Sequence, residues 1–189
     1  MHGSVANGPG IRNVLHVQGC TIGCKGCFNP HTWNPSQGDS MRTDKVAHDL
    51  LKGMSPSPGG ITVSGGEPME QWEEVFEVIN LVKETASYGG LLPSVVMFTG
   101  WEPSALESFG YNKLSEYIDA IVSGPYVEGL KRDGFLASKN QELIILTNVL
   151  SEEDFETDRV IEITCEGSEV TITGFPTREE RRSILEEIN

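Results

Sequence analysis

Ile61-Thr-Val-Ser-Gly-Gly-Glu-Pro68 is the stretch whose reading decides the fold. Ile61 to Ser64 is short, mostly β-branched and apolar enough for a buried strand, and the two glycines with Pro68 stop it abruptly. Beyond the stop, Val75, Phe76, Ile79 and Val82 recur at helical spacing, which predicts a helix from about Gln71 to Ala86. The unit is a strand, a glycine loop and a helix.

Outward from that stretch the same succession returns on both sides. Upstream, Asn7-Gly-Pro-Gly10 is a turn by composition, and Ile11 to Gln18 reads as a first strand carrying Ile11, Val14, Leu15 and Val17. A loop rich in cysteine and glycine follows it, then a polar loop from Asn29 to Ser40. Thr43 is expected to cap a helix running to about Lys52, with Val46, Leu50 and Leu51 on one face, and Ser55-Pro-Ser-Pro-Gly-Gly60 ends it. Downstream, the strand Ser94 to Thr99 runs into Gly100-Trp101 and a helix near Pro103 to Ser108. The strand Ala120 to Ser123 runs into Gly124-Pro125-Tyr126, and Glu142 to Leu146 reads as a further strand.

The pattern then changes. Arg159 to Cys165 with Glu169 to Thr173 reads as a hairpin turning at Glu166-Gly167-Ser168, and Thr177 with Glu180 forms a capping box for a helix ending near Ile188. Cys165 reads as a buried apolar residue. Strands alternating with helices imply right-handed crossovers and a parallel sheet whose ligand loops lie beyond the carboxyl ends of the strands. The expected architecture is α/β, one domain over residues 1–189, with a core of about 7–146 and an extension of about 151–189. It places the cysteine loop, Gly65-Gly66-Glu67-Pro68, Thr99 and Ser123 around one cleft.

The chain has 189 residues, 38% of them hydrophobic and 22% charged, enough for a real core. It contains no apolar run long enough to span a membrane and no signal-like N-terminus, so the cytoplasm is the expected location. A formal net charge of −14 argues against nucleic acid and against an anionic membrane as partners, since both need basic surface.

Three of the four cysteines lie in Cys20-Thr-Ile-Gly-Cys-Lys-Gly-Cys27. Thiolates this close repel one another unless a metal or cluster holds them, and Gly23 and Gly26 allow the tight turns that such a loop needs. Two readings fit. Cys20, Cys24 and Cys27 can bind a [4Fe–4S] cluster with one iron left free of protein ligands; alternatively His31 completes a structural Cys₃His zinc site in an interaction module without catalysis. Gly65-Gly66-Glu67-Pro68 also has a plain alternative, a strand-to-helix turn with Glu67 at a helix N-terminus.

Taken together, Cys-x₃-Cys-x₂-Cys after the first strand and Gly-Gly-Glu-Pro after the second resemble the radical S-adenosylmethionine superfamily. The resemblance implies an incomplete (β/α) barrel, a [4Fe–4S] cluster on Cys20, Cys24 and Cys27, and S-adenosylmethionine chelated to the open iron. An electron from the reduced cluster then splits the sulfonium, giving methionine and a 5′-deoxyadenosyl radical. It further implies that Gly65 and Gly66 allow close backbone approach, that Glu67 lies where the substrate's ammonium is received, and that Gly66 and Thr99 meet the methionyl end.

Asn7-Gly-Pro-Gly-Ile-Arg12, Gly26-Cys-Phe-Asn29 with Thr32-Trp33, Thr99-Gly-Trp101, Ile118 to Tyr126 and Asn140-Gln141 resemble the activating enzymes of glycyl-radical enzymes. Among these, the small activase of anaerobic ribonucleoside-triphosphate reductase fits best, because Gly26 stands where the pyruvate formate-lyase activase pattern carries an aromatic. The resemblance sets the backbone at Gly26 and Phe28 against the adenine. It implies a large glycyl-radical enzyme as partner and a flavodoxin- or ferredoxin-type electron donor. The chain departs from that pattern at Ser123, where an aspartate is expected, before Asn140, where an arginine and paired serines are missing, and at Glu67, which is aspartate in several relatives. A different glycyl-radical enzyme, a peptide or a small molecule is the alternative substrate.

Overall fold

Each strand, glycine loop and helix of the sequence closes one parallel crossover in the computed structural model, which describes residues 1–54, 59–156, 161–166, 169–174, 176 and 178–188. β1 (Ile11–Val17), β2 (Gly59–Gly65), β3 (Ser94–Thr99) and β4 (Ala120–Ser123) lie side by side in chain order. All three of their pairings are parallel. α1 (Thr43–Leu51) connects β1 to β2, α2 (Trp72–Tyr88) connects β2 to β3, and α3 (Pro103–Phe109) with α4 (Tyr111–Ser115) connects β3 to β4.

Strand alternation sorts the core into two layers. Ile61, Val63, Val95, Met97 and Ile121 pack with Leu50 of α1, Val75, Phe76, Ile79 and Val82 of α2, Leu106 of α3 and Leu114 of α4. Val96, Ala120 and Val122 face the other way and pack with Phe135 and Phe155 from the chain that returns after β4. Parallel strands in sequential order with right-handed crossovers put every crossover helix on one face, which is the strip from which a (β/α) barrel is rolled. Here the sheet stays open, and β5 (Glu142–Ile145) ends it by pairing antiparallel to β4. The sequence pattern carries no cue to that reversal.

Several boundaries differ from expectation. Pro68–Gln71 form a 3-10 turn before α2, because Glu67 caps there by accepting the Met69 N–H. α4 is an additional short helix after Gly110, whose φ of 108° is open to glycine and not to other residues. The expected cap at Thr43 is corrected: Thr43 is the first helical residue, the cap position is Arg42, and no side chain caps it. The acidic residue at that terminus, Asp44, instead pairs with Arg42 at 2.8 Å.

β6 (Ile161–Glu166) and β7 (Glu169–Gly174) form the expected antiparallel hairpin, followed by α5 (Arg178–Ile188). The turn residues Gly167 and Ser168, the Thr177 cap and the Cys165 side chain lie outside the described residues. The hairpin meets the N-terminal segment: Glu162 accepts from the Ser4 hydroxyl and from the Val5 N–H at 3.1 Å, and Asn7 donates to Thr173 at 2.9 Å.

At the amino end of the sheet Arg12 is buried, and its guanidinium makes five hydrogen bonds: to the Thr62 and Ser94 hydroxyls and to the carbonyls of Pro9, Ile61 and Ser94. This gives the Asn7-to-Arg12 motif a structural role, because Arg12 ties β1, β2 and β3 together at the edge opposite the cleft. Burial lowers its pKa to about 10, opposed by the Asp119 carboxylate. Among the described residues no helix is long and apolar enough to cross a membrane.

Candidate functional site

The carboxyl ends of the parallel strands open into one cleft of about 760 Å³, part of it open to solvent. Cys20, Cys24 and Cys27 line it from the loop after β1, Gly65 from the end of β2 with Gly66 and Glu67 just beyond, Thr99 from the end of β3 with Gly100 just beyond, and Gly124 and Tyr126 from the loop after β4. The convergence expected from strand order is therefore present.

The cysteine loop is shaped locally. Cys24 O accepts from Cys27 N–H at 3.0 Å, closing a four-residue turn whose third residue, Gly26, has φ 79°. Positive φ at that position is what a type II turn requires. The loop's start is tied to the polar segment beyond it: Gly19 N–H donates to Thr32 O at 2.7 Å and Cys20 N–H to Trp33 O at 3.1 Å. All three thiols are half-buried and unpaired by disulfide. Burial, with the neighbouring thiols Cys27 and Cys20, pushes Cys24 up, while the backbone of Tyr126 and its own hold it down. Tyr126 thus links the β4 loop to the second cysteine.

The Gly-Gly-Glu-Pro loop is bonded to the chain that enters the cysteine loop. Gly66 N–H donates to Val17 O at 2.7 Å and Glu67 N–H to Gly19 O at 2.8 Å. The backbones approach so closely that a Cβ on Gly66 would lie 2.1 Å from Gly19 O, and one on Gly65 2.6 Å from Val17 O. Both glycines are required for the backbones to meet.

Glu67 is 1% exposed. Its carboxylate accepts from the Thr99 hydroxyl at 2.5 Å, the Gly100 N–H at 2.7 Å and the Met69 N–H at 2.9 Å. Burial pushes its carboxyl above the ordinary glutamate range, and these three bonds pull it back. A carboxylate offers about four lone-pair sites, and three of those of Glu67 are taken by the protein where the residue lines the cleft. The plain reading of Glu67 as a cap is fulfilled as well, since it caps the turn at Pro68–Gln71. Thr99 likewise spends its hydroxyl at the strand end, donating to Glu67 and accepting from Trp101 N–H at 3.1 Å.

Two expected positions fall outside the wall. Gly26 does not line the cleft; a Cβ there would meet the Glu128 side chain at 3.0 Å. Ser123, expected on the rim, is fully buried and donates to Trp101 O at 2.7 Å, so the next residue, Gly124, supplies the lining. Phe28 is on the wall as expected. Trp33, Phe98, Phe135 and Gln141 also line it, and sequence reasoning had not placed them there. Asn140 and Gln141 hold the β4 loop that carries Tyr126, Asn140 donating to Pro125 O at 2.7 Å and Gln141 to Gly124 O at 2.9 Å.

The donor set is three soft thiols on one wall, with aromatic surface around them and a polar patch at Glu67. Among the described residues no three His, Cys, Asp or Glu side chains gather about a point that one metal ion could occupy. A single zinc needs every donor within about 2.3 Å of the ion, whereas a multi-iron cluster spreads its thiolates more widely. Three thiols on one wall are the donor set that a [4Fe–4S] cluster takes when one iron is left without a protein ligand, and the cleft beside them is open on one side.

Comparison with known proteins bears on the same region. A family described as a 4Fe-4S single cluster domain matches residues 6–144. The chain is 31% identical over 141 residues to the anaerobic ribonucleoside-triphosphate reductase-activating protein of Enterobacteria phage T4, covering 72% of this chain and 85% of the relative. It is 33% identical over 129 residues to the protein of that name from Vibrio cholerae, covering 66% and 79%. A pyruvate formate-lyase-activating enzyme from Clostridium pasteurianum is 38% identical over 97 residues, covering 45% of this chain and 40% of the relative, so less than half of that enzyme's length is spanned. The cluster-domain match overturns the zinc alternative with His31, which is exposed.

Proposed function

Because the chain belongs to the radical S-adenosylmethionine family of single-cluster proteins that includes the activating enzymes of glycyl-radical enzymes, we propose that it generates a glycyl radical on a large partner enzyme, an anaerobic ribonucleoside-triphosphate reductase. The observation that carries this reading is the meeting of the three cysteines with Gly65, Gly66, Glu67 and Thr99 in one cleft at the carboxyl ends of β1, β2 and β3. Gly26 supports the reductase among possible partners. Its φ of 79° strains any side chain there, and the Glu128 side chain would have to shift to admit the aromatic expected of a pyruvate formate-lyase activase.

Cys20, Cys24 and Cys27 would hold the cluster. S-adenosylmethionine would lie along the wall formed by Gly65, Gly66 and Phe28, with its cationic end toward the Glu67 charge. When bound, the pair would supply one-electron cleavage of a sulfonium, and with it the capacity to remove a hydrogen atom from a glycine Cα–H. The chain's own part is placement and shielding. Gly66 and Glu67 hold the cysteine loop through Val17 O and Gly19 O, and Phe28, Trp33, Phe98 and Phe135 line the cleft with apolar surface, which a partner's loop would complete to exclude water. The cleft's open side suits a protein loop as substrate. The electron would come from a flavodoxin- or ferredoxin-type protein in the cytoplasm, where thiols stay reduced.

The test is anaerobic reconstitution with iron and sulfide, then mixing with candidate reductase, S-adenosylmethionine and a strong reductant. A glycyl-radical doublet in electron paramagnetic resonance, absent with Cys24→Ala, is the expected result. Cleavage of S-adenosylmethionine without a doublet on the reductase would overturn the partner, and full activity in Cys24→Ala would overturn the cluster assignment.

A further inference from the structure

We infer that Glu70 is a positioning residue for the cluster, holding the first turn of the cysteine loop and setting the cluster's reduction potential low. The inference rests on the proposed cluster site. Glu70 is exposed and lies three residues beyond Glu67 in the turn Pro68–Gln71. Both its carboxylate oxygens accept the Thr21 N–H, at 3.0 and 3.2 Å, and the Thr21 hydroxyl donates to the same carboxylate. Thr21 directly follows Cys20. Gln71, the next residue, donates to Gln18 O at 3.1 Å. With Gly66 on Val17 O and Glu67 on Gly19 O, the segment 66–71 is fastened at four places to residues 17–21, and Glu70 holds the one nearest the cysteine loop.

Two consequences for a cluster on Cys20 follow, both of one sign. A negative charge beside a cluster disfavours the added electron, and backbone N–H groups that donate to cluster sulfur favour it. Glu70 places its carboxylate one residue from Cys20 and takes for itself the N–H that follows that ligand. Each effect lowers the potential. Cleaving a sulfonium with a single electron demands a strong reductant, so a low potential serves the proposed reaction. A plain surface hydrogen bond of a loop would steady Thr21 and leave the potential where it was.

The experiment compares the reconstituted full chain with Glu70→Gln, which keeps an acceptor for Thr21 but removes the charge, and with Glu70→Leu, which removes both. Midpoint potentials come from redox titration followed by electron paramagnetic resonance at low ionic strength, where an exposed charge is least screened. Iron and sulfide content is measured alongside. The expected result is full cluster content with a potential more positive in Glu70→Gln and more positive again in Glu70→Leu, which also releases iron faster under a chelator. Coincident potentials in Glu70→Gln and the unaltered chain overturn the inference, whatever Glu70→Leu does. A chain that assembles no cluster under any of these conditions overturns the site reading itself, which separates the two failures.

Discussion

The hydroxyl of Thr99 donates to the carboxylate of Glu67 at 2.5 Å, across the two loops that end β2 and β3. With the Gly100 N–H on the other oxygen at 2.7 Å, this pair makes a buried carboxylate into a strut between neighbouring strands. The strut stands on the wall of the cleft, so its integrity and the site's shape are one matter.

Glu67→Gln should therefore destabilise the chain by about 1–3 kcal/mol, since an amide nitrogen would face N–H and O–H donors that want an acceptor. The pH dependence has a definite sign. Burial raises the folded carboxyl above its ordinary value of 4.5, so the folded state binds more protons than the unfolded one, and this group's contribution is fully present below the ordinary glutamate range and is lost as pH rises through the raised value. Urea midpoints at a series of pH values should show that decline in the unaltered chain relative to Glu67→Gln. A difference between the two that is independent of pH would contradict it.

Gly66→Ala should separate the two motif loops. Its Cβ would stand 2.1 Å from Gly19 O, and forced overpacking against backbone costs about 1–3 kcal/mol. Thermal melting should register the loss, and iron uptake on reconstitution should fall with it. Gly90→Ala is the control: its φ of 72° strains the new residue, but the Cβ meets nothing within 4 Å and the position is remote from the cleft, so iron uptake should be unchanged.

Replacing Arg12 by methionine should cost about 3 kcal/mol or more, because the carbonyls of Pro9, Ile61 and Ser94 lose a charged donor in a buried setting. Denaturant unfolding measures this. Since Arg12 sits at the opposite end of the strands from the cysteines, iron bound per folded molecule should stay at the level of the unaltered chain. Loss of iron from a fully folded variant would show that the two edges are coupled.

At Gly26, alanine meets two obstacles, a φ of 79° and the Glu128 side chain at 3.0 Å. A left-handed conformation costs an L-residue about 1–2 kcal/mol. Glu128→Ala in the same chain should relieve the crowding and leave the conformational cost, so Gly26→Ala should lower the denaturant midpoint less in a Glu128→Ala background than in the unaltered chain.

The elements that sequence reasoning placed best are those whose signal is local. β3 and β4 match at both ends, and the buried positions of α2 are those of the helical period, because a strand's alternation and a helix's repeat are written into neighbouring residues. What escaped is of another kind. The antiparallel sense of β5 depends on how the chain returns across the sheet. The cleft's Phe135 and Gln141 come from a stretch with no period at all, and Ser123 is turned inward by Trp101 O, a partner 22 residues away.

Alone, the sequence determined the succession of strands, glycine loops and helices, and the gathering of Cys20, Cys24 and Cys27, because three thiols within eight residues need no distant partner to stand close together. It also showed which glycines break the strands. Tertiary structure decided what those residues touch. Glu67 reaches Gly100 across 33 positions, Glu70 reaches Thr21 across 49, and Arg12 reaches Ser94 across 82. Such bonds form where parallel strands lay their ends side by side, and that alignment is set by packing of the whole sheet.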